Sequence, residues 1–226
     1  MDEMAAALQA DGEATGRVMV GSTALLMECE MGDLLRECRY RYPGVQVSPK
    51  VMTATRVESA VAAGEVDIGL SLTLDPEDEV PRVPGVCRQT LFKIPFVSIG
   101  GASPNPGPPP PDADRVLVVD PDCVSHEVLL RHLKTERGVS PSVLEAGSTR
   151  SAINLARAGL GVAMVPRLAV EQDLGRDALV AERLPSTDAY VQALWVGTTW
   201  LPPAVSAFLE MLRKAPGAAA RQPAFA

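Results

Sequence analysis

The chain has 226 residues, 46% of them hydrophobic, and carries a formal charge of −7. That length can hold one larger domain or two lobes around a packed core, and the acidic balance excludes a surface that neutralises a run of phosphates. No apolar run approaches the roughly 20 residues that span a bilayer, and the acidic start Met1-Asp2-Glu3 lacks the basic region of a signal peptide, so a cytoplasmic protein with no membrane partner is expected.

Residues 1–15 are helix-permissive but broken by Gly12, and show little apolar periodicity, like the tail of a preceding element. Arg17 to Ser22 reads as a short apolar strand. A helix from Thr23 to Tyr42 follows, with Leu26, Leu34, Leu35 and Cys38 at helical spacing, and Pro43-Gly44 ends it. Val45 to Met52 alternates as a second strand, and Pro49 argues for a place near a sheet edge. Thr55 to Ala63 is a second helix stopped by Gly64, and Val66 to Ser71 a third strand. Strand and helix alternating at this spacing indicate a parallel α/β unit, in which ligands sit outside the carboxyl ends of the strands. Those ends are Ser22-Thr23 and Ser71 to Thr73.

An acidic loop spans Asp75 to Val86, and Leu91 to Ile99 reads as a long strand interrupted at Pro95, where a crossing between lobes is expected. Pro104 to Pro111 reads as a stiff extended spacer. Val116 to Val119 is a buried strand, Ser125 to Thr135 a helix with Val128, Leu129 and Leu133 inward, and Val143 to Ala146 another strand.

The stretch from Glu145 to Arg167 reads as cap, helix, glycine stop and strand. Ser148 or Thr149 can cap the helix, because a hydroxyl there accepts from a free N–H of the first turn. Ala152, Ile153, Ala156 and Leu160 form its apolar stripe, Gly159 and Gly161 end it, and Val162 to Val165 is a strand stopped by Pro166. A short helix from Leu168 to Leu174, a strand from Leu179 to Leu184 and a returning strand from Tyr190 to Val196 follow. A closing amphipathic helix from Pro202 to Arg213 precedes a small-residue tail.

Several chemical patterns are set aside. Gly159-Leu160-Gly161 follows a helix and precedes a strand, the reverse of a dinucleotide fingerprint. Gly21-Ser22-Thr23 lacks the second glycine of a hydrolase elbow, and His126 and His132 have no evident acid partner. The four cysteines, Cys29, Cys38, Cys87 and Cys123, have no paired short spacing, so reduced thiols are expected rather than disulfides or a zinc site. No catalytic residue, metal or cofactor is expected.

Five segments together resemble one family. Gly16-Arg-Val-Met-Val-Gly21, Arg41-Tyr-Pro-Gly-Val-Gln46, Ala63-Gly-Glu-Val-Asp-Ile-Gly69, Ala158-Gly-Leu-Gly-Val-Ala-Met-Val-Pro166 and Leu201-Pro-Pro-Ala-Val-Ser-Ala-Phe-Leu209 look like the effector-binding domain of LysR-type transcriptional regulators. The resemblance covers roughly Gly16 to Arg213. It implies an α/β fold of two lobes, like a type 2 periplasmic binding protein, each lobe a mostly parallel sheet flanked by helices. Residues 16–94 and 190–214 would form lobe I and 95–189 lobe II, with 1–15 the end of a linker helix and 215–226 a flexible tail.

The resemblance also implies a small polar or anionic effector between the lobes, and a homodimer or tetramer paired through the helices Thr23 to Tyr42 and Ser125 to Thr135. DNA would be reached only through a helix-turn-helix domain that the chain does not carry. Ser22, Thr23, Ser71, Ser98, Ser148 and Thr149 match the positions where the family grips its effector, with Thr23 and Ser148 expected to face one another. Cys123 lies where peroxide-sensing members have a reactive cysteine, although their second cysteine is replaced here by His132. Redox sensing through Cys123 and a transport solute-binding protein are the alternatives.

The charge yields a first expectation. In a mobility-shift assay at low salt the chain should leave duplex DNA unshifted, whereas tight binding that weakens steeply with added salt would contradict the reading.

Overall fold

The computed structural model describes residues 14–101, 115–138, 140–171, 179–180 and 186–215. These fall into two compact units, one holding 14–71, 76–92 and 191–215, the other the remaining described residues. The chain therefore passes between units at 71/72, 75/76, 92/93 and 190/191.

In the first unit, strand β1 (Gly16–Ser22) lies between β2 (Val45–Val51) and β3 (Ile68–Thr73), parallel to both. β2 is the outer strand, which tolerates Pro49 because its missing N–H faces no further ladder. The order continues through β9 (Ser186–Val196) to β4 (Val86–Gly101). Helix α3 (Ala54–Ala62) packs so closely on β3 that a Cβ on Gly69 would lie 2.6 Å from Val57 Cγ1. Val57, Ala60, Val61, Val66, Val86 and Leu194 form the core on that face. Helix α6 (Pro203–Lys214) buries Val205, Phe208, Leu209, Met211 and Leu212 against β1 and the helix Gly32–Arg41.

The expected helix from Thr23 to Tyr42 forms with an irregularity. It consists of α1 (Ala24–Leu26), a π turn (Met27–Met31) and α2 (Gly32–Arg41). Eight residues at about 100° each would leave Leu34 roughly 80° off the face of Leu26. A π turn absorbs about one residue, which brings buried Leu34 and Cys38 back onto the stripe of Leu26.

In the second unit, β7 (Val162–Pro166) runs antiparallel to β4 and parallel to β5 (Val116–Val118), which is parallel to β6 (Val143–Glu145). β8 (Leu179–Val180) pairs with β4. Helices α4 (Val124–Arg137) and α5 (Thr149–Arg157) flank this sheet. Ala152, Ile153 and Ala156 of α5 meet Val97, Ile99, Leu117, Ala163 and Val165 in one core.

Three expectations are corrected. Pro95 does not interrupt β4, because pairing with β7 begins only at Phe96 opposite Pro166 and needs no N–H from Pro95. Leu160 is 40% exposed, since α5 ends at Arg157 and the chain has turned out of the helix by Gly159. The segment after Pro166 begins as a single 3-10 turn, Arg167–Ala169. The remainder of that expected helix, most of the Leu179 to Leu184 strand, the Pro104 to Pro111 spacer, residues 1–13 and the tail from 216 lie outside the described residues. None of the described helices is long and apolar enough to cross a membrane.

Gly161 makes the α5 to β7 turn possible. Its φ is +149°, and a Cβ there would lie 2.4 Å from the carbonyl oxygen of Arg115. Gly161→Ala should therefore lower the urea midpoint by the equivalent of about 2 kcal/mol or more, since strain and backbone clash act together. An unchanged midpoint would contradict this reading of the turn.

Candidate functional site

Each unit presents hydroxyls at the carboxyl edge of its parallel strands. In the first unit, Ser22 is in register with Leu70 of β3 and Val51 of β2, so Thr23, Ser71 and Met52 stand one step beyond, along one edge. Side chains alternate along strands, so Thr23 and Ser71 follow the face of Gly21 and Gly69, and Ser22 points to the other. Ser22 is fully buried, and its hydroxyl donates to the Thr23 carbonyl at 3.3 Å. Ser71 is half-buried.

Thr23 stands apart from the others. It is the N-cap of the helix spanning 24–41, with extended φ −69° and ψ 156°, yet its side chain makes no cap hydrogen bond. Its Oγ1 is buried without a partner, and the residue is 7% exposed. A hydroxyl left so costs about 1–3 kcal/mol relative to a satisfied one, and here it lies beside the positive end of a helix.

In the second unit Ser148 caps α5 as expected. Its Oγ accepts from Ser151 N at 3.0 Å and donates to Ser151 Oγ at 2.8 Å, so part of its capacity is committed to the cap. Thr149, the first residue of α5, is buried at 4% exposure. Ser98 is not brought to this edge. It pairs with Met164, two rows inside the strand end at Pro166, and it points to the face opposite Val97 and Ile99, away from the α5 core.

The sequence reading missed a buried polar cluster in the first unit. Arg88, with a side chain 5% exposed, bonds Glu58 Oε2 at 2.6 Å and Asp78 Oδ2 at 3.1 Å, and reaches Gln192 Oε1 at 3.4 Å. Glu58 Oε1 accepts from the backbone of Arg82 and Val83 at 2.6 and 3.0 Å. Gln192 Nε2 donates to the Asp78 carbonyl at 2.6 Å and to Thr90 Oγ1 at 3.3 Å, and Thr90 Oγ1 donates to the Pro76 carbonyl at 2.9 Å. Only the isolated acidic character of the 75–86 loop signalled it in sequence.

The four cysteines are free thiols. Cys123 is the N-cap of α4 and is 8% exposed. Burial, assisted by Glu28 and Glu30, pushes the Cys29 thiol up to about 12, and burial pushes Cys38 up to about 11. Among the described residues no group of three or more His, Cys, Asp or Glu side chains could hold a metal.

The chain matches the family model of the LysR substrate binding domain over residues 11–217. It is 20% identical over 210 residues to the uncharacterized HTH-type transcriptional regulator YwqM of Bacillus subtilis, covering 89% of this chain and 70% of that protein. To YfiE of Escherichia coli, likewise an uncharacterized HTH-type transcriptional regulator, it is 24% identical over 175 residues, covering 77% and 59%. The chain thus spans little more than half of YfiE.

Among solved structures it is similar to the reduced regulatory domain of OxyR2 from Vibrio vulnificus, with TM-score 0.67, 17% identity, and 88% and 93% of the two chains covered. Full-length CbnR complexed with its target DNA gives TM-score 0.61 at 19% identity, covering 94% of this chain and 73% of that one. At such identities the likeness shows the fold. It is the type 2 periplasmic-binding-protein-like fold of LysR-type regulatory domains, in agreement with the resemblance read from the five sequence segments.

The raised thiols carry a prediction. At pH 8 about one Cys29 in ten thousand and one Cys38 in a thousand would be thiolate, so iodoacetamide should leave both unmodified in the native chain and label them after unfolding. Rapid native labelling of either, located by peptide mass spectrometry, would contradict the burial described.

Proposed function

We propose a function on the premise that this chain belongs to the LysR substrate-binding domain family, whose model covers residues 11–217: it is the sensing module of a transcriptional regulator, and its effector is a small polar or anionic metabolite. The observation that carries the proposal is the Thr23 hydroxyl, buried, unpaired and placed at a helix start on the carboxyl edge of a parallel sheet. A buried hydroxyl left without a partner calls for an explanation, and a ligand that completes it supplies one. Ser71 shares that edge. Ser148 and Thr149 offer the corresponding groups on the edge of the second unit, and Ser22 and Ser98 act behind them.

The rest of the reading follows the family. Effector binding shifts the population between arrangements of a homodimer or higher oligomer, and helix-turn-helix domains translate that shift at DNA in the cytoplasm. The helices 24–41 and α4 supply the pairing faces, and Tyr40, 89% exposed on α2, suits such a role. The chain performs no catalysis and needs no cofactor. Redox sensing through Cys123 gains no support from its surroundings, because Cys123 is the one cysteine of the second unit.

Thr23→Val keeps the shape and removes one hydrogen bond, worth about 0.5–1.5 kcal/mol to a neutral ligand and up to about 3 to a charged one. With an effector found by thermal-shift screening, calorimetry should show affinity reduced about tenfold and little change in fold stability. Ser148→Ala should weaken binding too, at an added fold cost of about 1 kcal/mol for the lost cap. Unchanged affinity in both variants would refute the assignment.

A further inference from the structure

The buried cluster around Arg88 does more than fix a loop. Its members sit beside three of the four passages between the units, those at 75/76, 92/93 and 190/191, on the side of the first. Pro76, whose carbonyl accepts from Thr90 Oγ1, is the first residue after the chain re-enters that unit, and Asp78 follows two residues on. Thr90 lies two residues before the chain leaves at Phe92, and Gln192 one residue after it returns at Val191. Arg88 and Gln192 touch both groups of the Asp78 residue, its carboxylate and its carbonyl. Glu58, anchored on α3, holds Arg88 and the backbone of Arg82 and Val83. The 76–83 loop, the start of β4 and the distant strand β9 are therefore tied to one helix through the Glu58 carboxylate, a single guanidinium and a single amide.

We propose that this cluster is a clasp: the 76–83 loop, the 88–92 stretch of β4 and the 191–193 stretch of β9 open and close as one cooperative unit. The reason is mutual dependence. Releasing the loop strips acceptors from Arg88 and Gln192 at once, and a guanidinium buried to 5% exposure cannot recover them from water without the strands parting as well. A loop held only by its own turns would open alone, because surface loops ordinarily sit at the low end of local stability. The clasp gives the first unit a rigid stem at these three passages, a property independent of which effector binds.

Native-state hydrogen exchange on the 226-residue chain, followed residue by residue in rising urea, tests this directly. The amides of Arg82 and Val83, which bond Glu58, and of Thr90, which bonds Glu79 Oε1 at 3.2 Å, should show protection within about tenfold of one another and the same urea dependence. Thr90→Val, which removes only the Thr90 hydroxyl from the cluster, should lower protection at Arg82 and Val83 by about five- to tenfold, together with position 90, and leave α5 unchanged. Exchange at Arg82 and Val83 more than about tenfold faster than at Thr90, or no response of those amides to Thr90→Val, would overturn the clasp.

Discussion

Parallel pairing is the constraint on which the rest of this structure depends. Strands that run the same way must end at the same edge, and the loops and helix starts that follow them are gathered there whatever their sequence separation. The register of β1 with β2 and β3 turns that rule into positions: Ser22 beside Val51 and Leu70 puts Thr23 level with Met52 and Ser71. In the second unit Val118 beside Glu145 does the same for the loop that leads to Ser148. The hydroxyls are gathered by topology, and only afterwards sorted by local geometry into those that cap, such as Ser148, and those that are buried, among them Thr23, whose Oγ1 has no partner.

A second layer of constraint is electrostatic. Burying Arg88 among Glu58, Asp78 and Gln192 adds little net stability, because the desolvation of the charges offsets most of their attraction. Its effect is on which arrangement is allowed: removing one partner would leave a charge buried, at a cost of about 3–5 kcal/mol. Low-dielectric surroundings thus hold the acidic loop in one place. The exposed pairs on the surface, such as Arg36 with Asp33 and Arg41 with Glu37 on α2, are screened and adjustable by comparison.

What was legible in the sequence was local. The run from Glu145 to Arg167 disclosed its cap, its stop and its strand because each depends on neighbours within four residues, and Ser148, Gly159 and Gly161 behave as read. The family resemblance was legible for a related reason, since its segments are these same turns. What escaped was non-local. Arg88 meets partners 30 and 104 residues away, which no pattern of spacing encodes. The π turn escaped because it corrects a phase mismatch between Leu26 and Leu34 that periodicity blurs. Ser98 was grouped with the other hydroxyls through the family resemblance, whereas its pairing with Met164 places it two rows inside the strand end. That Thr23 would be buried without a partner could not be read at all, for burial is a property of the assembled fold.

The central claim is that the Thr23 hydroxyl is left open for a ligand. A crystal structure of the chain with a metabolite selected by thermal shift, which at 100 times its dissociation constant adds about 2.7 kcal/mol of stability, tests it most directly. The account predicts a polar atom of the metabolite within hydrogen-bond distance of Thr23 Oγ1. A tightly bound metabolite that leaves Thr23 Oγ1 untouched would contradict it.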